Sequence, residues 1–275
     1  MIVLVTGCRS GFGKLIAIGA ARAGHTVYAG VRDPSASPEL TEGARGLSVI
    51  PIALDVTDAA QREEAIARIV REQGRLDALV NNAGVGLAGF QEQVATDELQ
   101  RLFEVNVVAP HALTRLALPH LRASKGIVIN VSSMAGRQAL PGLGAYAASK
   151  FALEGMTEAL RHEMRPFGVR VVLVEPGPYQ TDIFGRNRWT ARAASEPGPY
   201  HAFLKRMESM LASAERRMGD PQEVAELAVR LLSDPRPRLR YALGPGVRAR
   251  LLARSALPFE VTEAILARVI NVRAE

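Results

Sequence analysis

"IVLVTGCRSGFGKLIAIGAARAG", residues Ile2 to Gly24, runs from a short β-rich apolar stretch through a glycine-rich turn into a helical pattern. The glycines fall at positions 7, 11 and 13. Gly7 permits a tight turn after the strand, Gly11 lets backbone approach a pyrophosphate, and Gly13 permits close packing of the helix. A helix that starts here points its unpaired amides and its positive dipole end at the turn, which makes an anion site. A glycine cluster alone could be an ordinary turn. Its position between a first strand and a first helix is what points to dinucleotide binding.

Outward from this unit the alternation repeats. Apolar β-rich runs at 2–6, 26–31, 47–54, 76–82, 126–133 and 169–176 are separated by segments of helical period and length. Strand, helix, strand in this order predicts an α/β fold, a single-domain Rossmann-type doubly wound parallel sheet with helices on both faces. Helix signals agree: Asp58 suits an N-cap with Gln61 completing a box-like start and Gly74 ending the helix, and Asp220, Pro221 and Glu223 open another. Between Thr181 and Met218 the pattern loosens into an insertion, expected to be a substrate lid, with a permanently docked surface helix as the competing reading; a short helix near His201 to Arg217 carries Phe203, Leu204, Met207, Met210 and Leu211 on its apolar face. A C-terminal extension covers about 244–275.

Composition excludes several classes of protein. With 275 residues, 48% hydrophobic and 23% charged, the chain is neither disordered nor too short for a large core. Cys8 is the single cysteine, and His25, His111, His120, His162 and His201 lack ligand spacing, so no metal site is expected. A net charge of +6 and a pI near 9.9 raise a nucleic-acid partner, but the arginines are scattered and lack interleaved aromatics, and none is expected. There is no run of eighteen apolar residues and no basic leader before "IVLVTG", from which a cytoplasmic protein without a transmembrane segment is expected.

"GLGAYAASKFALEGM", Gly142 to Met156, sets Tyr146 and Lys150 four residues apart on one helix face, beside alanines expected to leave both heads exposed. Alone the pair proves little, because i,i+4 neighbours meet on any helix. Five motifs in order change that. Thr6-Gly-x-x-x-Gly-x-Gly13, "NNAG" at 81–84, Asn106 in a long helix, "VSS" before "YAASK", and "PGPYQT" at 176–181 together resemble the short-chain dehydrogenase/reductase family, and the resemblance runs along most of the chain.

The resemblance implies an oxidoreductase that interconverts a ketone or aldehyde and its alcohol by hydride transfer. Tyr146 would be the general acid/base, Lys150 would lower its pKa and hold cofactor ribose, Ser133 would donate to the substrate oxygen, and Asn106 would hold a water in a proton relay. The cofactor would lie on Gly7, Arg9, Ser10, Gly11, Phe12 and Gly13, with Asp55 and Val56 at adenine, Asn82, Ala83 and Gly84 along the strand end, and Pro176, Gly177 and Thr181 opposite. Arg32, with Arg9, stands where the ribose 2′ substituent is read, which favours NADP(H) over NAD(H), although Asp33 keeps NAD(H) possible. Met134, Leu140, Leu143, Pro178 and Tyr179 would surround the carbonyl. The tail is similar to that of the 17β-hydroxysteroid and retinol dehydrogenase-like branch, implying a small lipophilic substrate and a homodimer or homotetramer. A catalytically silent NADP(H)-sensing binding module of the same fold is the alternative, since fold does not settle function.

Overall fold

Each strand places alternate residues in two separate cores, because successive side chains of a strand point to opposite faces. Val3, Val5, Val27, Ala29, Ala78, Val80, Ile127 and Ile129 enter one core; Leu4, Tyr28, Leu79, Val128 and Val171 enter the other. Both faces are therefore dry, which is why these strands read as unbroken apolar runs rather than as alternating ones.

The computed structural model describes residues 1–181, 188–195, 198–206, 209 and 218–270. Its main sheet has seven strands: β1 (Ile2–Thr6), β2 (Thr26–Val31), β3 (Val49–Ala53), β4 (Ala78–Asn81), β6 (Ile127–Val131), β7 (Arg170–Pro176) and β9 (Arg240–Leu243), in the order β3-β2-β1-β4-β6-β7-β9. Every pairing is parallel. Helices α1 (Gly11–Arg22), α2 (Pro38–Gly43) and α7 (Pro221–Ser233) cover one face, and α3 (Ala59–Gln73), α5 (Ala109–Ser124) and α6 (Gly144–Met164) cover the other. The strand order reverses at β1, so the crevice between the carboxyl ends of β1 and β4 is where a ligand of an open sheet binds.

Asp58 caps α3 as expected, accepting from the Gln61 amide at 3.1 Å, and Gly74 ends the helix at φ 70°. The box does not close in the expected way. The Gln61 side chain instead accepts from the Asp55 amide at 2.7 Å, tying α3 to the loop after β3. Asp220 caps α7 through the Gln222 amide at 2.9 Å, with Pro221 in the first helical position.

Part of the insertion is built into the fold. β8 (Arg188–Thr190) pairs in parallel with β5 (Gly86–Ala88). Arg192 bonds Asp97 at 2.7 Å on α4 (Thr96–Phe103), Arg101 lies 4.6 Å over the Trp189 ring, and Phe90 stacks on Tyr200 at 4.6 Å. The expected helix near His201 is present over 201–206, and Phe203 and Leu204 lie on it; Met207, Met210 and Leu211 fall outside the described residues. The tail forms α8 (Val247–Ala256) and α9 (Phe259–Ile270), and Val247 and Leu251 pack on Met134. Among the described residues no helix is long and apolar enough to cross a membrane, and no group of His, Cys, Asp and Glu could hold a metal ion.

Candidate active site

The glycine turn is stitched to β4 by side chains. Asn82 and Ala83 donate their backbone amides to the Thr6 hydroxyl at 3.0 and 2.9 Å, and the Asn82 side chain donates to the Thr6 carbonyl at 2.8 Å. Gly7 and Gly11 have φ of 71° and 55°, the left-handed region that favours glycine. Gly13 is required by space: a Cβ there would lie 2.3 Å from the Gly7 carbonyl oxygen. Ser10 flanks α1 without capping it by its side chain, so the first amides of the helix face the crevice.

That crevice is a cleft of about 1050 Å³. Its walls include Gly7, Arg9, Ser10, Gly11 and Phe12 on one side, Asn82, Ala83 and Gly84 on another, and Arg32, Asp55 and Val56 at the far end. Pro176 and Gly177 close β7 and lead to Thr181, which also lines the cleft. The Thr181 hydroxyl oxygen is buried with no hydrogen-bond partner among the described residues. Asp33, the one acid near the end of β2, is engaged locally. It accepts from the Ser35 hydroxyl at 2.6 Å and the Ser35 amide at 2.9 Å, and these bonds hold its carboxyl below the usual range.

Tyr146 and Lys150 are buried, 8% and 3% exposed, which corrects the expectation that neighbouring alanines leave their heads in the open. The physical reason is orientation, since that face of α6 turns inward against the ends of the strands. A buried polar chain sets this orientation: Asn81 donates to Asn130 at 2.8 Å, Asn130 to Thr157 at 2.8 Å, and Thr157 to the Leu153 carbonyl at 2.6 Å, linking β4, β6 and α6. Lys150 donates to the Val131 carbonyl at 3.1 Å and stands 5.9 Å from the centre of the Tyr146 ring.

Burial pushes the Tyr146 phenol up to about 12, with a hydrogen bond to Ser133 pulling the other way. This reverses the expected direction: loss of hydration outweighs the Ser133 hydrogen bond. Lys150 is brought down to about 8 by burial, opposed by the charge of Glu154.

Asn106 sits in a π-helical turn, Glu104–Val108, between α4 and α5. Such single turns bend a helix locally and are frequent at functional sites. Its side chain accepts from the Val85 amide at 3.0 Å and donates to the Val85 carbonyl at 2.9 Å and to Ser149 at 3.0 Å. Gly84 brings the groups together, since a Cβ there would lie 3.3 Å from the Asn106 oxygen and 3.6 Å from the Lys150 ammonium. Ser133, in extended backbone, accepts from the Ala135 amide at 3.1 Å.

A family model described as short chain dehydrogenase matches residues 1–191. The chain belongs to the short-chain dehydrogenase family. It is 38% identical over 272 residues to an uncharacterized oxidoreductase, YusZ, of Bacillus subtilis, covering 96% of each chain. It is also 34% identical over 284 residues to retinol dehydrogenase 5 of Mus musculus, covering 98% of this chain and 88% of the relative, in the branch that the tail resembles. The crystal structure of a short-chain dehydrogenase from Streptomyces avermitilis matches with a TM-score of 0.83 at 34% identity, covering 97% of this chain and 94% of that one. This short-chain dehydrogenase is accordingly an oxidoreductase with a Rossmann fold.

Of the residues expected around the carbonyl, Tyr179 is elsewhere. It is 1% exposed, its ring edge meets Phe12 at 5.5 Å, and its hydroxyl donates to Glu223 at 2.9 Å. A tyrosine beside Pro-Gly can pack inward as well as outward, and the pattern alone does not separate the two. Two features of the site escaped the sequence reading. Thr6 looked like the last residue of a strand, although its hydroxyl holds β4 in place. Glu154, one turn beyond Lys150 in "SKFALEG", looked like an ordinary helical acid, although it is 4% exposed.

Proposed function

We propose that this short-chain dehydrogenase is an NADP(H)-dependent enzyme that interconverts a lipophilic ketone or aldehyde and its alcohol, with Tyr146 as general acid/base. The observation that carries the reading is convergence: Asn106 and Lys150 meet behind Gly84, which lines the cleft, Tyr146 joins Lys150 on α6 and bonds Ser133, and the same cleft is lined by Arg9 and Arg32. The cleft fits a dinucleotide. Its turn has no room for a side chain at Gly7 or Gly13, the first amides of α1 face it, and the Thr181 hydroxyl has no partner among the described residues. A bound nicotinamide supplies or takes the hydride. The chain then has to handle one proton at the substrate oxygen. Tyr146 delivers it, Ser133 donates a hydrogen bond to the same oxygen as charge develops there, and Lys150 holds the cofactor sugar and supplies positive charge. A phenol that burial keeps protonated at neutral pH supports the reductive direction.

Apolar Met134, next in the chain to Ser133, and the partly exposed Leu140 and Leu143 between Ser133 and Tyr146 support a lipophilic substrate. The experiment is to incubate purified protein with NADPH or NADH and a panel of ketones and aldehydes, following the absorbance of the reduced nicotinamide. Tight NADPH binding without turnover on any carbonyl would favour the sensing module instead.

Cofactor choice rests on Arg32, with Asp33 committed to Ser35. Charge-assisted hydrogen bonds are worth roughly 1.5–3 kcal/mol, so Arg32→Ala should weaken NADPH binding by about ten- to a hundredfold and NADH binding much less. Equal losses for both would remove the 2′-phosphate contact.

Strand pairing and the Arg192 and Tyr200 contacts support 188–195 and 198–206 as a standing wall of the substrate pocket rather than a closing lid. Hydrogen exchange should find the amides of 188–191 protected in the apo protein; protection that arises only with both ligands bound would restore the lid. We further propose a cytoplasmic homodimer or homotetramer, supported by the exposed apolar side chains of Val108 and Phe151, and light scattering would measure its mass.

A further inference from the structure

Below Tyr146 and Lys150 on α6 lies a buried charge cluster that the proposed reaction does not use. Glu154 follows Lys150 by one helical turn, and its Oε2 accepts from Arg240 on β9 at 2.9 Å. Glu175 on β7 is fully buried, faces Arg240 at 3.3 Å and accepts from Arg137 at 3.4 Å, while Glu158, one turn further along α6, accepts from Arg240 at 2.6 Å. From the loop after β6, Ser132 and Gly136 close the pocket, since a Cβ on Gly136 would lie 2.9 Å from both the Glu154 Cγ and the Ser132 hydroxyl. Glu154 Oε1 and the Ser132 hydroxyl are buried without hydrogen-bond partners among the described residues.

A cluster that served only to clamp α6 to β9 would use both carboxylate oxygens, because a half-satisfied buried network is a poor clamp. One oxygen of Glu154 is bonded and the other is left over, on the helix face that carries Lys150. The second carboxylate stands apart from α6: burial, then the neighbouring Glu154, push the Glu175 carboxyl on β7 up.

We propose that Glu154 is the buried counter-charge of Lys150 and thereby a positioning residue for proton transfer at Tyr146. The proposal rests on the reading of Tyr146 and Lys150 as a working pair. Lys150 is taken out of water and, among the described residues, donates only to the Val131 carbonyl and has no carboxylate bonded to its ammonium. Glu154 supplies the negative charge that keeps it cationic, and so able to hold cofactor hydroxyls and bias the phenol. The other charged groups around Glu154 are Glu158 on its own helix, Arg137 after β6, Glu175 on β7 and Arg240 on β9.

The chain has four lysines, Lys14, Lys125, Lys150 and Lys205, so labelling the lysine ε-carbons gives an NMR spectrum in which loss of a peak in Lys150→Arg assigns Lys150. Its titration can then be followed in the apo protein, with no turnover needed. Glu154 follows Lys150 by one turn of α6 and its charge holds the ammonium up, so Glu154→Gln should lower the Lys150 midpoint, by about one unit for a near-neighbour charge, and the alkaline loss of NADPH affinity should move down with it. Glu175→Gln, which removes a carboxyl facing the arginines, should leave the midpoint in place. Glu154→Asp should give an intermediate midpoint, and it carries the same test if Glu154→Gln does not fold. A Lys150 midpoint unchanged by both Glu154 substitutions overturns the proposal. Failure of the enzymatic reading would show separately, as wild-type protein that turns over no carbonyl while its Lys150 titration still responds to Glu154.

Discussion

Tyr146→Phe should cut turnover by about 10² to 10⁴ while leaving the fold and NADPH affinity nearly intact, since loss of a positioned proton donor typically costs that much in rate. The ring keeps its shape, and it is the ring that fills the space at the start of α6. One oxygen leaves, with its hydrogen bond to Ser133. Ser133 still accepts from the Ala135 amide, so the stability change should stay near the roughly 1 kcal/mol net value of a single hydrogen bond. The pH dependence follows from the sign of the shift. With the phenol pushed up to about 12, Tyr146 keeps its proton through neutral pH, so carbonyl reduction should be flat there. Alcohol oxidation needs the phenolate and should rise with pH until Lys150, brought down to about 8, loses its charge. Steady-state kinetics in both directions, with a thermal melt of each protein, make the check. A variant with unchanged kcat on the true substrate would take the proton-transfer role away from Tyr146.

The sheet was legible because it is buried on both faces, so strands such as Val169 to Pro176 stand out as apolar runs between helical periods. The motif residues were legible for a different reason: glycine turns and the Tyr146–Lys150 spacing are local, within one turn or one helix. What the sequence did not reveal is set by contacts distant in the chain. β5 and β8 are three residues each and exist as strands only because Leu87 and Trp189 meet across about a hundred residues of chain. Glu154 and Glu175 are separated by a helix and a strand, and only Arg240, far along the chain, makes them one cluster. The burial of Tyr146 belongs to the same class, because no property of "AYAASK" says which way that helix face turns. Its consequence, a phenol raised instead of lowered, therefore could not be read before the packing was known.

Gly13→Ala should be the most damaging single-methyl change in the cofactor turn, in spite of helix propensity. Alanine is favoured over glycine inside a helix by about 1 kcal/mol, and Gly13 lies in α1. The new methyl, however, would sit 2.3 Å from the Gly7 carbonyl oxygen and 2.5 Å from the Asn82 side-chain nitrogen. Neither can retreat easily. Gly7 is backbone at φ 71°, and the Asn82 nitrogen is bonded to the Thr6 and Gly7 carbonyls at 2.8 and 3.3 Å. Overpacking of this kind costs about 1–3 kcal/mol or more, which outweighs the propensity gain, and at roughly 2–4 °C per kcal/mol the melting temperature should fall by several degrees. Affinity for NADPH should drop at least about tenfold as the α1 amides are displaced from the cleft. Gly155 supplies the opposite case. It is exposed in the middle of α6 with no atom within 4 Å of its would-be Cβ, so Gly155→Ala should stabilise the protein by roughly 0.4–1 kcal/mol and leave NADPH binding alone. Thermal melts and NADPH titrations of the two variants should move in opposite directions or, for Gly155→Ala binding, not at all; a Gly13→Ala protein as stable as wild type with unchanged affinity would mean that the close packing of the turn on β4 does not hold the site open.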